Sequence, residues 1–300
     1  MGRFGKGMDI SRLGYVLTLG KVGLPERQAV DKVVHELELS IKGDMPETAD
    51  WEAAAQIDFN SAVPDYFHDE TLREVLVARR FFLDRWSDCP AWAFAYSCVL
   101  HLLHGNRPYA LSRRSHPITP YKPTGPKEYR PLIPRLEGKV ARIFGQNIGA
   151  IPNGESHFAD STVQWPDGVG FADAVITSPP FFDSTRFYMT NWMRFWFTGW
   201  ERGDFESQPT SFIETRQKTG LEVYGEVFAA AKASLKPSGV VVFHLGKSSK
   251  CNMGEELMSW AEPHFSVADC YTEDVEHCES HGIRDKGTVV GHTYLVLIPR

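Results

Sequence analysis

The chain has 300 residues, of which 42% are hydrophobic and 23% are charged, and its formal net charge is −6. This composition is ordinary for a soluble globular protein with a sizeable core. The negative overall charge gives no sign of a protein that binds polyanions over its whole surface.

The sequence shows no targeting or membrane-spanning segment. Met1 is followed by polar and small residues rather than by the apolar stretch of a signal peptide. The longest strongly apolar run, Trp92 to Leu103, is too short to cross a bilayer and predicts a buried helix. The five cysteines form no C-x-x-C pair, which favours a reducing, cytoplasmic location.

Two groups of cysteines and histidines resemble metal-ligand clusters. The first group is Cys98, His101 and His104, and the second is Cys270, His277, Cys278 and His281. Neither group has a familiar zinc spacing. Packed cysteines and surface histidines are the better interpretation, and no metal is predicted.

The chain opens with a strand and continues with helices. The pattern predicts a strand over Phe4–Asp9 that ends in a carboxylate, followed by a helix over Ile10–Lys21 with Ser11 as its cap. Residues 26–104 are predicted to be mostly helical. The segment Asp69–Trp86 is the clearest amphipathic helix, because its apolar residues recur near a 3.6-residue period.

A basic stretch follows between residues 107 and 142. It contains nine Lys and Arg residues against two acidic ones, within a chain that is acidic overall. With tyrosines interleaved, this pattern is typical of a nucleic-acid surface, although a solvated loop-rich face would have the same composition. The residues predicted to contact phosphates are Arg107, Arg113, Arg114, Lys122, Lys127 and Arg130.

The last half of the chain alternates strands and helices. Strands are predicted around Phe158 and over Ala172–Thr177, Gly239–Leu245, Phe265–Tyr271 and Val289–Ile298. Helices are predicted over Arg186–Thr198, Leu221–Leu235 and Gly254–Glu262, the first with an aromatic face packed in the core. This alternation predicts an α/β fold with a parallel-type sheet and helices on both faces, in which ligands bind at the carboxyl ends of the strands.

A rigid corner, Ser178-Pro179-Pro180-Phe181, follows the short and apparently buried strand that ends at Thr177. The Ser178 hydroxyl and the Pro179 carbonyl can both accept hydrogen bonds from an amino group, and the prolines hold these acceptors still. Phe181 offers an apolar ring on which a planar base can stack. The corner is therefore suited to gripping the exocyclic amine of a nucleobase that has left its stack, although an ordinary strand-terminating turn is the simpler alternative.

Around this corner the sequence resembles the DNA amino-methyltransferases, which methylate cytosine N4 or adenine N6 with S-adenosylmethionine. "DAVITSPPF" resembles the family's motif IV, "GKGMDISRLGYVLTLGKV" its motif II and "HFADST" its motif III. "SLKPSGVVVFHLG" is similar to the family's fifth strand with the preceding helix and turn, and "GTVVGHTYLVLIP" to its closing hairpin strand. The resemblance implies that Ser178, Pro179, Pro180 and Phe181 bind the base, that Asp9 holds the cofactor's ribose and that Asp160 lies near its adenine.

The resemblance implies a Rossmann-like class I methyltransferase sheet whose first strand is missing. The family's D-P-F-x-G-x-G-T loop, which follows that strand, has no match in the sequence. We therefore expect a truncated or split enzyme in which a second chain supplies this motif. The expected domains are the start of the core (1–25), a helical and basic insertion that recognises DNA (26–150) and the rest of the core (151–300).

These motifs predict site-specific methylation of DNA, with cytosine N4 favoured over adenine N6 because Ser precedes the prolines. Such an enzyme would use S-adenosylmethionine and would suit a restriction–modification system. Two alternatives stay open. In the first, the chain is a non-catalytic DNA-binding remnant or one subunit of a split methyltransferase. In the second, it methylates a base in RNA.

Overall fold

The computed structural model describes residues 3–104, 126–146, 154–182, 186–248, 250–274 and 289–300. The chain divides into two compact units. The first comprises Met1–Phe158 and Tyr188–Ser207, and the second comprises Ala159–Phe187 and Gln208–Arg300. Within the described ranges, no helix is long and apolar enough to cross a membrane.

The first unit is largely helical and contains one short parallel strand pair. Strand β1 (Lys6–Asp9) pairs with β2 (Glu155–Phe158) in a register that sets Asp9 opposite Phe158. The helices are α1 (Arg12–Leu19), α2 (Arg27–Gly43), α3 (Thr48–Gln56), α4 (Asp69–Asp84), α5 (Pro90–His104), α6 (Leu132–Phe144), α7 (Phe187–Thr190), α8 (Trp192–Phe197) and α9 (Asp204–Ser207), with a 3-10 turn at Val63–Tyr66. Helices α1 to α6 thus lie between β1 and β2 in the chain.

Local signals account for where several of these helices begin and what they bury. Ser11 caps α1 as predicted, because its hydroxyl accepts a hydrogen bond from the Gly14 amide at 3.0 Å. Trp192 and Trp196 are fully buried, which confirms that the aromatic face packs in a core. The single helix predicted over Arg186–Thr198 is instead two short helices, because the non-helical Asn191 separates α7 from α8.

The second unit is a four-stranded sheet with helices packed on it. Its strands are β3 (Ala172–Thr177), β4 (Leu235–Ser248), β5 (Phe265–Asp274) and β6 (Val289–Pro299), in the order β3-β4-β6-β5. Its helices are α10 (Ile213–Arg216), α11 (Val223–Ala233) and α12 (Met253–Ala261), with 3-10 turns at Asp167–Val169 and Gln208–Ser211. Each predicted strand of this half is present, and β3 has the predicted bounds.

The direction of the strands differs from the predicted parallel-type sheet. β3 and β4 are parallel, whereas β6 is antiparallel to both β4 and β5. The sheet is therefore mixed. An alternating apolar pattern determines which face a side chain occupies, but it carries no information about strand direction. Only the resemblance of "GTVVGHTYLVLIP" to a closing hairpin strand implied that the last strand is antiparallel.

The core of the second unit lies on one face of the sheet. Val241, Phe243 and Leu245 alternate along β4 and are fully buried. They pack with α11 and α12 in one apolar cluster, to which β6 contributes Leu295 and Leu297. The period of two along β4 also sends Val242 and His244 to the opposite face of the sheet.

Strand β3 is more exposed than the predicted buried strand. Ile176 is 72% exposed, and Asp173 and Ala174 are exposed as well. Among the described residues β3 pairs only with β4, so its other edge has no strand partner. The apolar residues of β3 are typical of a central strand, whereas here the strand occupies an edge.

Candidate functional site

The Ser178–Phe181 corner lies at the carboxyl end of β3, beside the parallel strand β4. The ladder pairs Thr177 with Phe243, so the next residue on each strand, Ser178 and His244, also lie side by side. Ser178 is exposed, whereas Pro179 and Pro180 are half-buried. The two prolines have no N–H and therefore end the strand ladder at this point.

A buried glutamine fixes the backbone of the corner. Gln217 is only 1% exposed, and its Nε2 donates a hydrogen bond to the Pro180 carbonyl at 3.1 Å. Its Oε1 accepts a hydrogen bond from the Tyr224 hydroxyl at 2.8 Å. The Phe182 amide donates to Met253 Sδ at 3.2 Å. These contacts hold the corner on both its carbonyl and its amide side.

The two predicted amine acceptors differ in their present partners. No described residue donates a hydrogen bond to the Pro179 carbonyl, so this oxygen is available to a ligand. The Ser178 hydroxyl lies 3.0 Å from Nδ1 of His244. If the hydroxyl donates its proton to that nitrogen, the oxygen lone pairs stay free to accept from an amine.

His244 belongs to a small cluster of rings on the open face of the sheet. Its ring centroid lies 4.7 Å from that of His292 and 5.0 Å from that of Tyr294, both on β6. Burial lowers the pKa of His244, and the neighbouring His292 lowers it further, while Glu273 opposes the shift. The neutral imidazole is therefore favoured, which leaves one ring nitrogen as a hydrogen-bond acceptor.

Phe181 is packed against β4 rather than free on both faces. A Cβ atom on Gly246 would lie 2.5 Å from Cγ of Phe181, so the absence of a side chain lets the ring rest on the strand. The ring also meets His244 and His292 edge to face, each with centroids 5.6 Å apart. A stacked base would have to use the part of this half-buried ring that the strand leaves uncovered.

Asp9 lies at the end of β1, as predicted, and is partly buried against the start of α1. Its Oδ1 accepts hydrogen bonds from the amide and the hydroxyl of Ser11, both at 2.7 Å. Burial raises the pKa of Asp9, while the two bonds from Ser11 lower it. The carboxylate packs so closely on Gly14 that a side chain there would overlap it. Its Oδ2 has no hydrogen-bond donor among the described residues.

Asp160 has a similar local role in the second unit. Its Oδ1 accepts hydrogen bonds from the Thr162 amide and hydroxyl, both at 2.8 Å, and Arg216 donates to the same hydroxyl at 3.1 Å. Its Oδ2 has no donor in the described part of the chain. Asp160 shares a unit with the Ser178–Phe181 corner, whereas Asp9 belongs to the first unit.

The predicted nucleic-acid contacts fall mostly outside the described residues. Arg107, Arg113, Arg114 and Lys122 all lie there. The other two are described and have intramolecular partners. Lys127 donates to the Pro64 carbonyl at 3.0 Å, and Arg130 forms an ion pair with Glu128 at 3.0 Å. Lys127 is exposed and Arg130 is partly exposed, so both contacts are weak enough to exchange for phosphate.

Sequence reasoning missed His244, His292 and Gln217. For His244 a signal was present, because it lies near the carboxyl end of a predicted strand, where ligands bind in α/β sheets. Gln217 gave no signal, since its contact with the corner joins residues far apart in sequence.

The contact of Ser178 with His244 also has to be compared with a hydrolase site, in which the serine would be the nucleophile. An acyl-transfer site needs backbone N–H donors beside the nucleophile to hold the oxyanion. Here the two residues after Ser178 are prolines, which supply no such donor. Nor do three metal-ligating side chains come together anywhere in the described ranges. The two proline positions therefore offer hydrogen-bond acceptors and no donors, unlike an oxyanion hole.

Comparison with protein-family models, with curated proteins and with solved structures finds no match to this chain. The resemblance to the DNA amino-methyltransferases accordingly stays a prediction, which depends on the sequence motifs.

Proposed function

We propose that the chain is the base-binding part of an S-adenosylmethionine-dependent DNA methyltransferase that acts on an exocyclic base amine. The observation that carries this proposal is the pair of acceptors at the Ser178–Phe181 corner. The Ser178 oxygen and the Pro179 carbonyl lie on consecutive residues of a rigid turn, next to an aromatic ring. Two acceptors that grip both amine hydrogens would draw the nitrogen towards a more nucleophilic, tetrahedral geometry.

The residues proposed for the cofactor fit it in part. Asp9 and Asp160 each keep one carboxylate oxygen without a donor in the described chain, and each is steadied by a neighbouring hydroxyl. These oxygens suit the ribose hydroxyls and the adenine of S-adenosylmethionine, which would supply an activated methyl group. No glycine loop of the expected pattern is available for its methionine end.

We propose that a further strand, carried by a second chain or another segment, pairs with the free edge of β3 and brings this loop. An exposed edge made of apolar residues is a template for strand addition. The exposure of Ile176 and the unpaired edge of β3 in the described structure support this arrangement. The family resemblance favours cytosine N4 over adenine N6.

The test measures transfer of a labelled methyl group to duplex DNA and to structured RNA, with and without an added segment that carries the D-P-F-x-G-x-G-T pattern. We expect weak cofactor binding by the 300-residue chain alone and transfer to DNA in the presence of the segment. Mass spectrometry of the digested product would identify the methylated base. Transfer to RNA instead would favour an RNA base methyltransferase, and transfer to neither would favour a non-catalytic remnant.

Two sets of variants tie this activity to particular residues. Phe181→Ala should abolish transfer, whereas the same change at Phe171, which is exposed in the same unit, should not. Neutralising Arg113, Arg114 and Arg130 together should weaken DNA binding for all sequences and flatten its salt dependence, because phosphate contacts release counterions. An unchanged salt slope would show that the basic stretch is only a solvated face.

A further inference from the structure

We propose that Ser178 and His244 form a proton relay, in which the hydroxyl of Ser178 passes the proton of the methylated amine to Nδ1 of His244. This proposal rests on the proposed function, because it assigns a catalytic role at the same corner. His244 lies within "SLKPSGVVVFHLG", the segment similar to the family's fifth strand, but the resemblance gave it no role. It is identified by the structure alone, through its 3.0 Å contact with the serine oxygen.

The geometry of the sheet makes this contact a fixed one. Ser178 follows the last residue of β3, and His244 occupies the adjacent position on the parallel strand β4. The ladder on the other side of β4 sets Tyr294 opposite His244. His244 is therefore positioned by the strand ladder, and Ser178 is held between the last paired residue of β3 and two prolines, which limits the movement of both groups as a precise proton transfer needs.

The transfer balances without any further reagent. When the amine nitrogen bonds to the methyl carbon, the carbon–sulfur bond of the donor breaks and the positive charge moves to nitrogen. The nitrogen then loses a proton to the Ser178 oxygen while the serine proton moves to Nδ1. The products are a neutral methylated amine and an imidazolium at His244, which returns its proton to water.

The groups around His244 suit the neutral form that the relay requires. His292 faces it from β6, and a second imidazolium there would disfavour a positive charge on His244. Glu273 on β5 opposes this effect in part. The His244 ring also contacts the aromatic rings of Tyr294 and Phe181. Partial burial adds to the preference for the uncharged ring.

The first experiment reads the position of the proton directly and requires no enzymatic activity. Nitrogen NMR of the histidine-labelled chain should show neutral His244 protonated at Nε2, with Nδ1 accepting a hydrogen bond. Ser178→Ala should shift the Nδ1 resonance of His244. The Nδ1 resonance of His264, which lies in the turn before β5, is the control and should not change. A neutral His244 that carries its proton on Nδ1 would overturn the relay, because the imidazole would then donate to the serine.

The second experiment uses His244→Asn, in which the amide oxygen can still accept from Ser178 but cannot take up a proton. Turnover by the wild type with its added segment should rise with pH as His244 loses its proton. The variant should lose this dependence and about 10²-fold in turnover, the lower range for general acid–base catalysis. His264→Asn is the control and should keep the wild-type profile.

The outcomes separate the relay from the function. A His244→Asn enzyme with the wild-type rate and pH profile would overturn the relay and leave the methyltransferase proposal standing. An absence of methyl transfer by the wild type under all conditions would overturn the proposed function, and the catalytic role of the relay with it, even where NMR places the proton as expected.

Discussion

The contact of Gln217 with the Ser178–Phe181 corner leads to a quantitative prediction about stability. Gln217→Leu removes the hydrogen bonds to the Pro180 carbonyl and from the Tyr224 hydroxyl while keeping a side chain of similar size. Both former partners lose their hydrogen bond. Tyr224 is fully buried, and burial raises the pKa of its hydroxyl, so the group remains a protonated donor that water cannot reach.

The magnitude follows from the cost of leaving such groups unpaired. A buried unsatisfied donor or acceptor costs about 1–3 kcal/mol. Pro180 is only half-buried and can be partly rehydrated, so we expect Gln217→Leu to lower the free energy of unfolding of the second unit by about 2–4 kcal/mol. Tyr224→Phe leaves only the amide oxygen of Gln217 unpaired and should cost about 1–2 kcal/mol.

The double variant gives the sharper test. With both changes, the tyrosine–glutamine pair is replaced by apolar groups, and the groups left without the Gln217 donor are the Pro180 carbonyl and the more distant Phe181 carbonyl. The double variant should therefore be more stable than the sum of the single effects implies, by about 1–2 kcal/mol. Urea unfolding followed by hydrogen exchange of peptides from 159–182 and 213–245 reports on this unit separately from the first. Additive single effects would refute the buried pair.

Four further predictions concern titration, stability and capping. Tyr129 should titrate near pH 12, because its hydrogen bond to Glu74 raises its pKa to about 12, and Glu74→Gln should move the ultraviolet titration towards the ordinary value. His292→Gln should raise the pKa of His244 in NMR titrations, since it removes the Coulombic effect by which His292 lowers that pKa. The pKa of His244 is lowered in the folded state, so its contribution to stability is present above the ordinary histidine pKa of about 6.5. This contribution is lost as the pH falls through the lowered pKa. A urea midpoint that does not change over this pH range would contradict the shift. Ser11→Ala should destabilise the first unit by about 1 kcal/mol in urea unfolding, as loss of a helix cap does, whereas an unchanged midpoint would exclude the capping role.

Periodic patterns predicted most of the elements, because burial of one face imposes a period on the sequence. The strand over Ala172–Thr177 has the predicted bounds, and β4 extends beyond its predicted range at both ends. The helix cap at Ser11 was also predictable, since the capping bond joins residues three apart. These features depend on residues that are close together in the chain, and such local patterns can be recognised in a single sequence.

The features that were not predictable depend on contacts between distant residues. The exposure of β3 is one of them, because its apolar residues indicate burial, whereas its edge position agrees with the missing first strand that the resemblance implied. The contact of Gln217 with Pro180 likewise depends on tertiary packing. For the candidate site, the serine and the prolines were predicted from the motif, but the histidine behind the serine was not.

The chemistry at the corner is concentrated in one unit of the chain. Ser178 and Pro179 offer the proposed acceptors, Gln217 holds the carbonyl of the following residue and His244 contacts the serine hydroxyl, and all of these residues belong to the second unit. The predicted ribose ligand Asp9 belongs to the first unit and is committed through Oδ1 to the start of α1. An added strand at the edge of β3 that has no partner among the described residues would extend the sheet beside the corner, as the proposed second chain or segment requires.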